Sequence, residues 1–275
     1  MQFELLAGQA DPHGRGFQYG DGFFTTGRTL EGCIWLKEQH IARLVKGAEA
    51  FGFELEALGV IRELESRLGA EDTGFKLIVE RSGAHQARGY RPGTQKVTVW
   101  LARFEVSASH RFWQDQLEQD PVPAVVLEAR LGAQPQRLAG IKSLGRAEQV
   151  LAAAELYQLA QASGQQDLEG LVCDARGQLC EGVSANLVLY ANGQWLTPQM
   201  NYSGVHGNLR QALLQKGLVQ ECPKVPVLHE IEAALLINSV KGARILASLQ
   251  SDETLHAMNP ALARQFVERM QRRLA

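Results

Sequence analysis

Apolar and polar residues change period several times along the chain, and each change predicts an element. In QYGDGFFTTGRTLEGCIW, from Gln18 to Trp35, Phe24, Thr26 and Arg28 fall on one face of a segment with the two-residue period of a strand. Glu31-Gly32 predicts a hairpin turn after it. Leu36, Ile41, Leu44, Val45, Ala48 and Phe51 then recur at helical spacing up to Gly52, and Ile61, Leu64 and Leu68 mark a second helix stopped at Gly69. Phe75 to Val79 and Val97 to Val106 return to a strand pattern. Residues 1–110 therefore read as a small α/β domain, and the polar stretch HRFWQDQLEQDP, about 111–120, as the connection to a second domain at 121–275.

The second half opens with the strand-like run Ala124 to Ala129 and passes through a polar loop to Lys142. Gly145 to Ala162 is strongly helical. LEGLVCD and SANLVLY are strand-like runs separated by the turn Asp174-Ala175-Arg176-Gly177. Asn192-Gly193 is a hairpin signal, because both residues tolerate positive φ. Gly207 leads into an apolar-periodic stretch from Leu209 to Leu214, closed by Gly217. Asn259-Pro260 starts a basic amphipathic helix that runs to Leu274. No internal repeat interrupts this series.

Composition narrows the function more than the fold. The 275 residues carry 28 Lys plus Arg against 30 Asp plus Glu, and a net charge of −2 offers no field for holding polyanions. Nucleic-acid binding is not expected. Cys33, Cys173, Cys180 and Cys222 are scattered without metal-ligand spacing, which predicts reduced thiols, no metal and a cytoplasmic setting. No apolar run is long enough to span a membrane, and no basic stretch followed by an apolar one opens the chain. The 27 glycines against 9 prolines predict many tight turns between short elements.

Three short segments bear chemistry. Lys142, in Gly140-Ile141-Lys142-Ser143, stands where an amine projects from a strand end, although most lysines are simply solvated. Glu181 opens the strand EGVSANLVLY, where a carboxylate is costly unless it is paired or faces water at the strand end. Gly204-Val205-His206-Gly207-Asn208-Leu209-Arg210 sets glycines before a helix N-terminus, whose free N–H groups and dipole suit a phosphate. His206 there reads equally as a capping or surface residue.

In this order, and together with YGDGFFTTGR, His40-Ile41-Ala42-Arg43-Leu44, Glu80-Arg81-Ser82-Gly83, Arg88-Gly89-Tyr90 and Arg146-Ala147-Glu148-Gln149-Val150, the segments resemble the fold-type IV pyridoxal-phosphate enzymes. This class holds the branched-chain and D-amino-acid aminotransferases, and the chain is most similar to its 4-amino-4-deoxychorismate lyase branch. The resemblance covers nearly the whole chain. It implies an α/β (α+β) fold of two domains, the larger C-terminal one built on a barrel-like sheet. It also implies a homodimer, and pyridoxal 5'-phosphate as the cofactor.

By the same resemblance Lys142 bonds the cofactor and serves as the base, and Glu181 faces the pyridine nitrogen. Arg43, the backbone of Asn208 and Leu209, and Ser239 hold the phosphate. Thr26, Arg28, Arg88 and Tyr90 are the residues expected to meet the substrate. The implied reaction converts 4-amino-4-deoxychorismate to 4-aminobenzoate and pyruvate, toward folate. An aminotransferase acting on D- or branched-chain amino acids, or a binding protein that keeps the fold, are the alternatives. Three positions depart from family patterns. Gly145 stands where the lyases commonly have Asn, and Asn208-Leu209 where transaminases often have Ile-Thr. Arg146 replaces the tyrosine usual in branched-chain aminotransferases, which argues against the standard transaminase pocket.

Overall fold

The computed structural model describes residues 13–83, 89–251 and 254–274, with the backbone of Gln2–Leu5. The chain divides into two units: Met1–Ser109 with Ile141–Gly145, and His110–Gly140 with Arg146–Ala275.

The first unit contains β1 (Gln2–Leu5), α1 (Arg15–Tyr19), β2 (Gly22–Leu30), β3 (Cys33–Ile34), α2 (Lys37–Phe51), α3 (Ala57–Leu68), β4 (Gly74–Arg81) and β5 (Val97–Phe104). Its five strands lie in the order β1-β5-β4-β2-β3. All pairs are antiparallel except β1 with β5. Alternation decides which face is covered. Phe23 on β2, Phe75, Leu77 and Val79 on β4, and Val99 and Leu101 on β5 join one apolar cluster with Leu44 of α2 and Val60, Ile61 and Leu64 of α3. Burying each such side chain is worth about 1.5–3 kcal/mol, which is what holds the two helices to the sheet. The predicted turn at Glu31-Gly32 is present, with φ of 51° and 74°. The strand predicted to reach Val106 ends at Phe104.

The second unit begins with α4 (Ser109–Glu118) and β6 (Val122–Leu131), followed by α5 (Ala147–Ser163), β7 (Glu169–Asp174), β8 (Leu179–Gly182), β9 (Asn186–Ala191) and β10 (Gln194–Pro198). It continues through α6 (Asn208–Gln215), β11 (Gln220–Cys222), β12 (Ile231–Asn238), β13 (Gly242–Ser251), β14 (Thr254–Ala257) and α7 (Pro260–Leu274). Six strands run in the order β9-β12-β13-β6-β7-β8, and a β8–β9 pairing at Glu181↔Asn186 closes them into a barrel. Ala124, Leu171, Leu187, Leu189, Ala234, Leu236 and Leu246, from five of these strands, form one apolar cluster. A second cluster packs Ala152 of α5 against Leu127, Leu131, Val172 and Cys180.

Further segments differ from the sequence reading. EGVSANLVLY, read as one strand opened by Glu181, is β8 and β9 separated by the turn at 183–185, and Glu181 lies inside β8. The stretch taken as a connection is largely α4: Phe112, Trp113 and Gln116 bury one helical face while the charged positions point outward, so a polar composition hid an amphipathic helix. Ile141–Gly145 lies within 121–275 by number yet groups with the first unit. The cause is hydrogen bonding. The Phe24 N–H donates to the Lys142 carbonyl (2.9 Å), the Leu144 N–H donates to the Gly22 carbonyl (3.0 Å), and Phe23 pairs antiparallel with Ser143. Among the described residues no helix is long and apolar enough to cross a membrane.

Candidate active site

Lys142 is positioned by that short pairing. Ile141 packs on the first unit's apolar cluster, so the next residue turns to the opposite side of the sheet, the side of Phe24. Lys142 Nζ lies 4.9 Å from the centre of the Phe24 ring. Thr26, two residues along β2 on the same face, is half-buried.

Arg43 is buried on α2, one helical turn after the fully buried His40. His40 Nδ1 lies 2.8 Å from Thr25 Oγ1, and its ring packs on Phe75. Burial, reinforced by the charges of Arg43 and then Lys142, pushes the His40 imidazole down to about 3. It is therefore neutral at physiological pH. The first unit thus gathers Arg43, His40 and Lys142 into one electrostatic neighbourhood.

The residues expected to meet substrate are placed differently. Arg28 is buried, and its guanidinium donates to the Ser107 carbonyl and to the Thr29 carbonyl (3.3 Å). Tyr90 is 88% exposed, edge-on to Tyr19. Arg88 lies outside the described residues.

In the second unit Glu181 is 4% exposed. Its Oε2 accepts from the Val205 N–H (2.9 Å) and from Asn186 Nδ2 (3.3 Å), and its Oε1 lies 3.7 Å from Arg146 Nη2. Asn186 also donates to the Val205 carbonyl (2.8 Å), so it ties the Glu181 strand to the segment that leads into α6. That segment is anchored once more by the His206 N–H donating to the Gly140 carbonyl (2.9 Å). Gly140 has φ of +75°, and a Cβ there would meet the His206 ring, so this position needs glycine on both counts. A Cβ on Gly207 would run into Asn186.

Helix α6 starts at Asn208 after the N-cap Gly207, which makes no side-chain capping hydrogen bond; a helix N-terminus of this kind directs N–H groups and the positive end of the helix dipole toward an anion. Asn208 and Leu209 are themselves buried, as is Ser239 on the turn between β12 and β13. In that turn Asn238 Oδ1 accepts from the Val240 and Lys241 N–H groups (3.0 and 2.8 Å).

The second unit therefore brings Glu181 to the approach to α6, with Asn186 and Arg146 as its partners. Asn186 was not singled out from the sequence, since its burial beside Glu181 shows only in the structure. His40 likewise falls three residues before Arg43, on the same helix face. Each unit taken by itself offers groups of the kind pyridoxal phosphate needs: a lysine amine and a buried arginine in the first, a buried carboxylate and a helix N-terminus in the second. Among the described residues no group of three or more His, Cys, Asp or Glu side chains is arranged to hold a metal ion.

Known proteins match this architecture. The profile described as "Amino-transferase class IV" matches residues 22–249. An aminodeoxychorismate lyase from Vibrio harveyi is 30% identical over 204 residues, 73% of this chain and 70% of that one. The crystal structure of a 4-amino-4-deoxychorismate lyase from Pseudomonas aeruginosa superposes with a TM-score of 0.76 at 28% identity, covering 98% of this chain and 96% of that chain. A hypothetical aminotransferase from Mycobacterium tuberculosis, in its PLP-bound form, shares the fold with a TM-score of 0.75 at 22% identity, over 98% of this chain and 94% of that one. The chain belongs to the class IV aminotransferase family.

Proposed function

We propose that the protein is a pyridoxal-phosphate-dependent lyase that converts 4-amino-4-deoxychorismate to 4-aminobenzoate and pyruvate. Its likeness to two proteins named as lyases of this substrate, extending over most of the chain, carries the reading. Arg146, at a position where branched-chain aminotransferases have tyrosine, supports it.

When bound, pyridoxal phosphate supplies an electron-withdrawing ring that takes up the electron pair left when a proton leaves the carbon beside a substrate amine. Lys142 would hold the cofactor through its amine and would serve as the base that removes that proton. The neighbouring ring carbon then loses its enolpyruvyl oxygen as the C–O bond breaks. Protonation at the enol methylene gives pyruvate, and aromatisation of the ring drives the step. Glu181 holds a proton at the pyridine nitrogen. Arg43, the first N–H groups of α6 at Asn208 and Leu209, and Ser239 bind the phosphate. Thr26, on the Phe24 face of β2, orients the substrate. Arg28, with its guanidinium donating to backbone carbonyls, is a weaker partner for a substrate carboxylate than Arg88 or Tyr90.

The same reading makes the protein a cytoplasmic homodimer on the route to folate. Helix α5 supports the dimer: Val150, Leu151 and Tyr157 are each about two-thirds exposed, an apolar surface that calls for a cover. Light scattering measures the mass directly, and a monomer at micromolar concentration refutes the dimer. For the reaction, the holoenzyme is given enzymatically prepared 4-amino-4-deoxychorismate, and 4-aminobenzoate and pyruvate are quantified. Equal release of both, absent in Lys142→Ala, is the expected result. A protein that binds the cofactor but releases neither product is not this lyase.

A further inference from the structure

The steps above leave a charged side chain beside Glu181 without a task. Arg146 immediately precedes α5, and its Nη2 stands 3.7 Å from Glu181 Oε1, with side-chain exposures of 21% and 6%. The other oxygen of that carboxylate is occupied by two neutral donors, the Val205 N–H and Asn186 Nδ2. The remaining titratable groups that act on Arg146 are Glu148 and Cys180. Glu148 Oε1 accepts the Gly132 N–H (3.0 Å), and Cys180 is a buried thiol against Met200 and Ser203. Burial pushes the Arg146 guanidinium down from its ordinary value, opposed first by Glu181. A half-buried cation is thus held against the acid through a single ion pair.

We infer that Arg146 is a positioning residue that weakens the hold of Glu181 on the proton of the cofactor's ring nitrogen, and so sets the cofactor for elimination rather than amino transfer. The inference rests on the reading that Glu181 faces that nitrogen. A carboxylate with a guanidinium on one side attracts a second cation, the pyridinium, less than a lone carboxylate does, and the two cations repel each other. A ring with a looser proton is a weaker electron sink. Elimination with aromatisation tolerates this, because the substrate ring itself supplies driving force. Amino transfer asks for longer storage of the electron pair. Arg146 thus acts on the reaction through Glu181, without touching the substrate.

The experiment loads the protein with pyridoxal phosphate carrying ¹⁵N in the ring and follows the protonation of that nitrogen against pH by nuclear magnetic resonance. In Arg146→Met the midpoint rises by about one pH unit, a tenfold gain in proton affinity, and in Arg146→Lys it returns toward the wild-type value. Arg146→Gln makes the same comparison should the methionine variant lose the cofactor. Glu181→Gln lowers the midpoint if Glu181 faces the ring nitrogen. A midpoint unmoved in both neutral Arg146 variants, while Glu181→Gln lowers it, overturns the inference and leaves the placement of Glu181 standing. A midpoint unmoved by Glu181→Gln overturns that placement and the inference with it.

Discussion

Lys142 and Glu181 are held in opposite ways. Lys142 is fixed by its backbone: a neighbouring amide and its own carbonyl are paired to β2, while its long side chain extends over the Phe24 ring. Glu181 is fixed by its side chain, which meets two N–H donors and a guanidinium. On the proposed function, the Lys142 amine would exchange partners and carry a proton, which asks for a firm base and a mobile end. On the same proposal the Glu181 carboxylate would hold one proton in one place, which asks for the reverse. Each anchoring follows from its element, a short strand pairing in the first unit and a buried barrel strand in the second.

Substitutions separate the two modes. The largest effect is expected from Lys142→Ala, which removes the amine without touching the backbone pairing; product release falls by at least about 10⁴-fold with little change in the melting temperature. Glu181→Ala does the converse. It leaves the Val205 N–H buried without its acceptor and removes one of the two acceptors of the Asn186 amide, at a cost of about 1–3 kcal/mol that denaturant unfolding measures. If the loss of stability is as small in Glu181→Ala as in Lys142→Ala, the contrast between the residues is wrong.

His40 gives a pH signature to the first unit alone. With its native pKa at about 3 against an ordinary value of 6.5, the unfolded chain binds the extra proton between those limits. Stability conferred by the neutral imidazole is complete above pH 6.5 and falls as the pH drops toward 3, by up to about 1.4 kcal/mol per unit. Replacing His40 with Asn should flatten that part of a stability profile, and an unaltered slope would assign it to carboxylates instead. The smallest effect belongs to Phe24→Leu, which exchanges the ring beneath Lys142 for an aliphatic surface. A cation–π contact of this kind is worth about 0.5–1 kcal/mol, so turnover should change by no more than about fivefold.

The sequence made the first unit legible because its strands and helices keep clean periods: β2, α2, α3 and β4 each have one apolar face. The barrel was harder to read. β12, IEAALLIN, is an almost continuous apolar run that suits a strand buried on both faces as well as a buried helix, and β13 follows it without a strong period, so neither was assigned from pattern. The barrel expectation came instead from family resemblance. The site divides similarly. Lys142, Glu181 and the start of α6 stood out by residue type next to glycines. Asn186 and His40 did not, because a buried amide or imidazole leaves no mark on composition, and its partners lie on other elements. Arg28 shows the limit from the other side. The resemblance made it a ligand candidate, and nothing in the sequence showed that its guanidinium donates to the carbonyl of Ser107, far along the chain.

The five residues Ile141–Gly145 group with one unit while Gly140 and Arg146, their immediate neighbours, belong to the other. No single cut can therefore separate this protein into two self-sufficient pieces. A fragment ending at Ser109 keeps the sheet and loses its lysine, and one starting at His110 keeps the lysine and loses the strand that aims it. Dissection, permutation or split-reporter designs on this scaffold must carry the loop as a third part, joined back to β2.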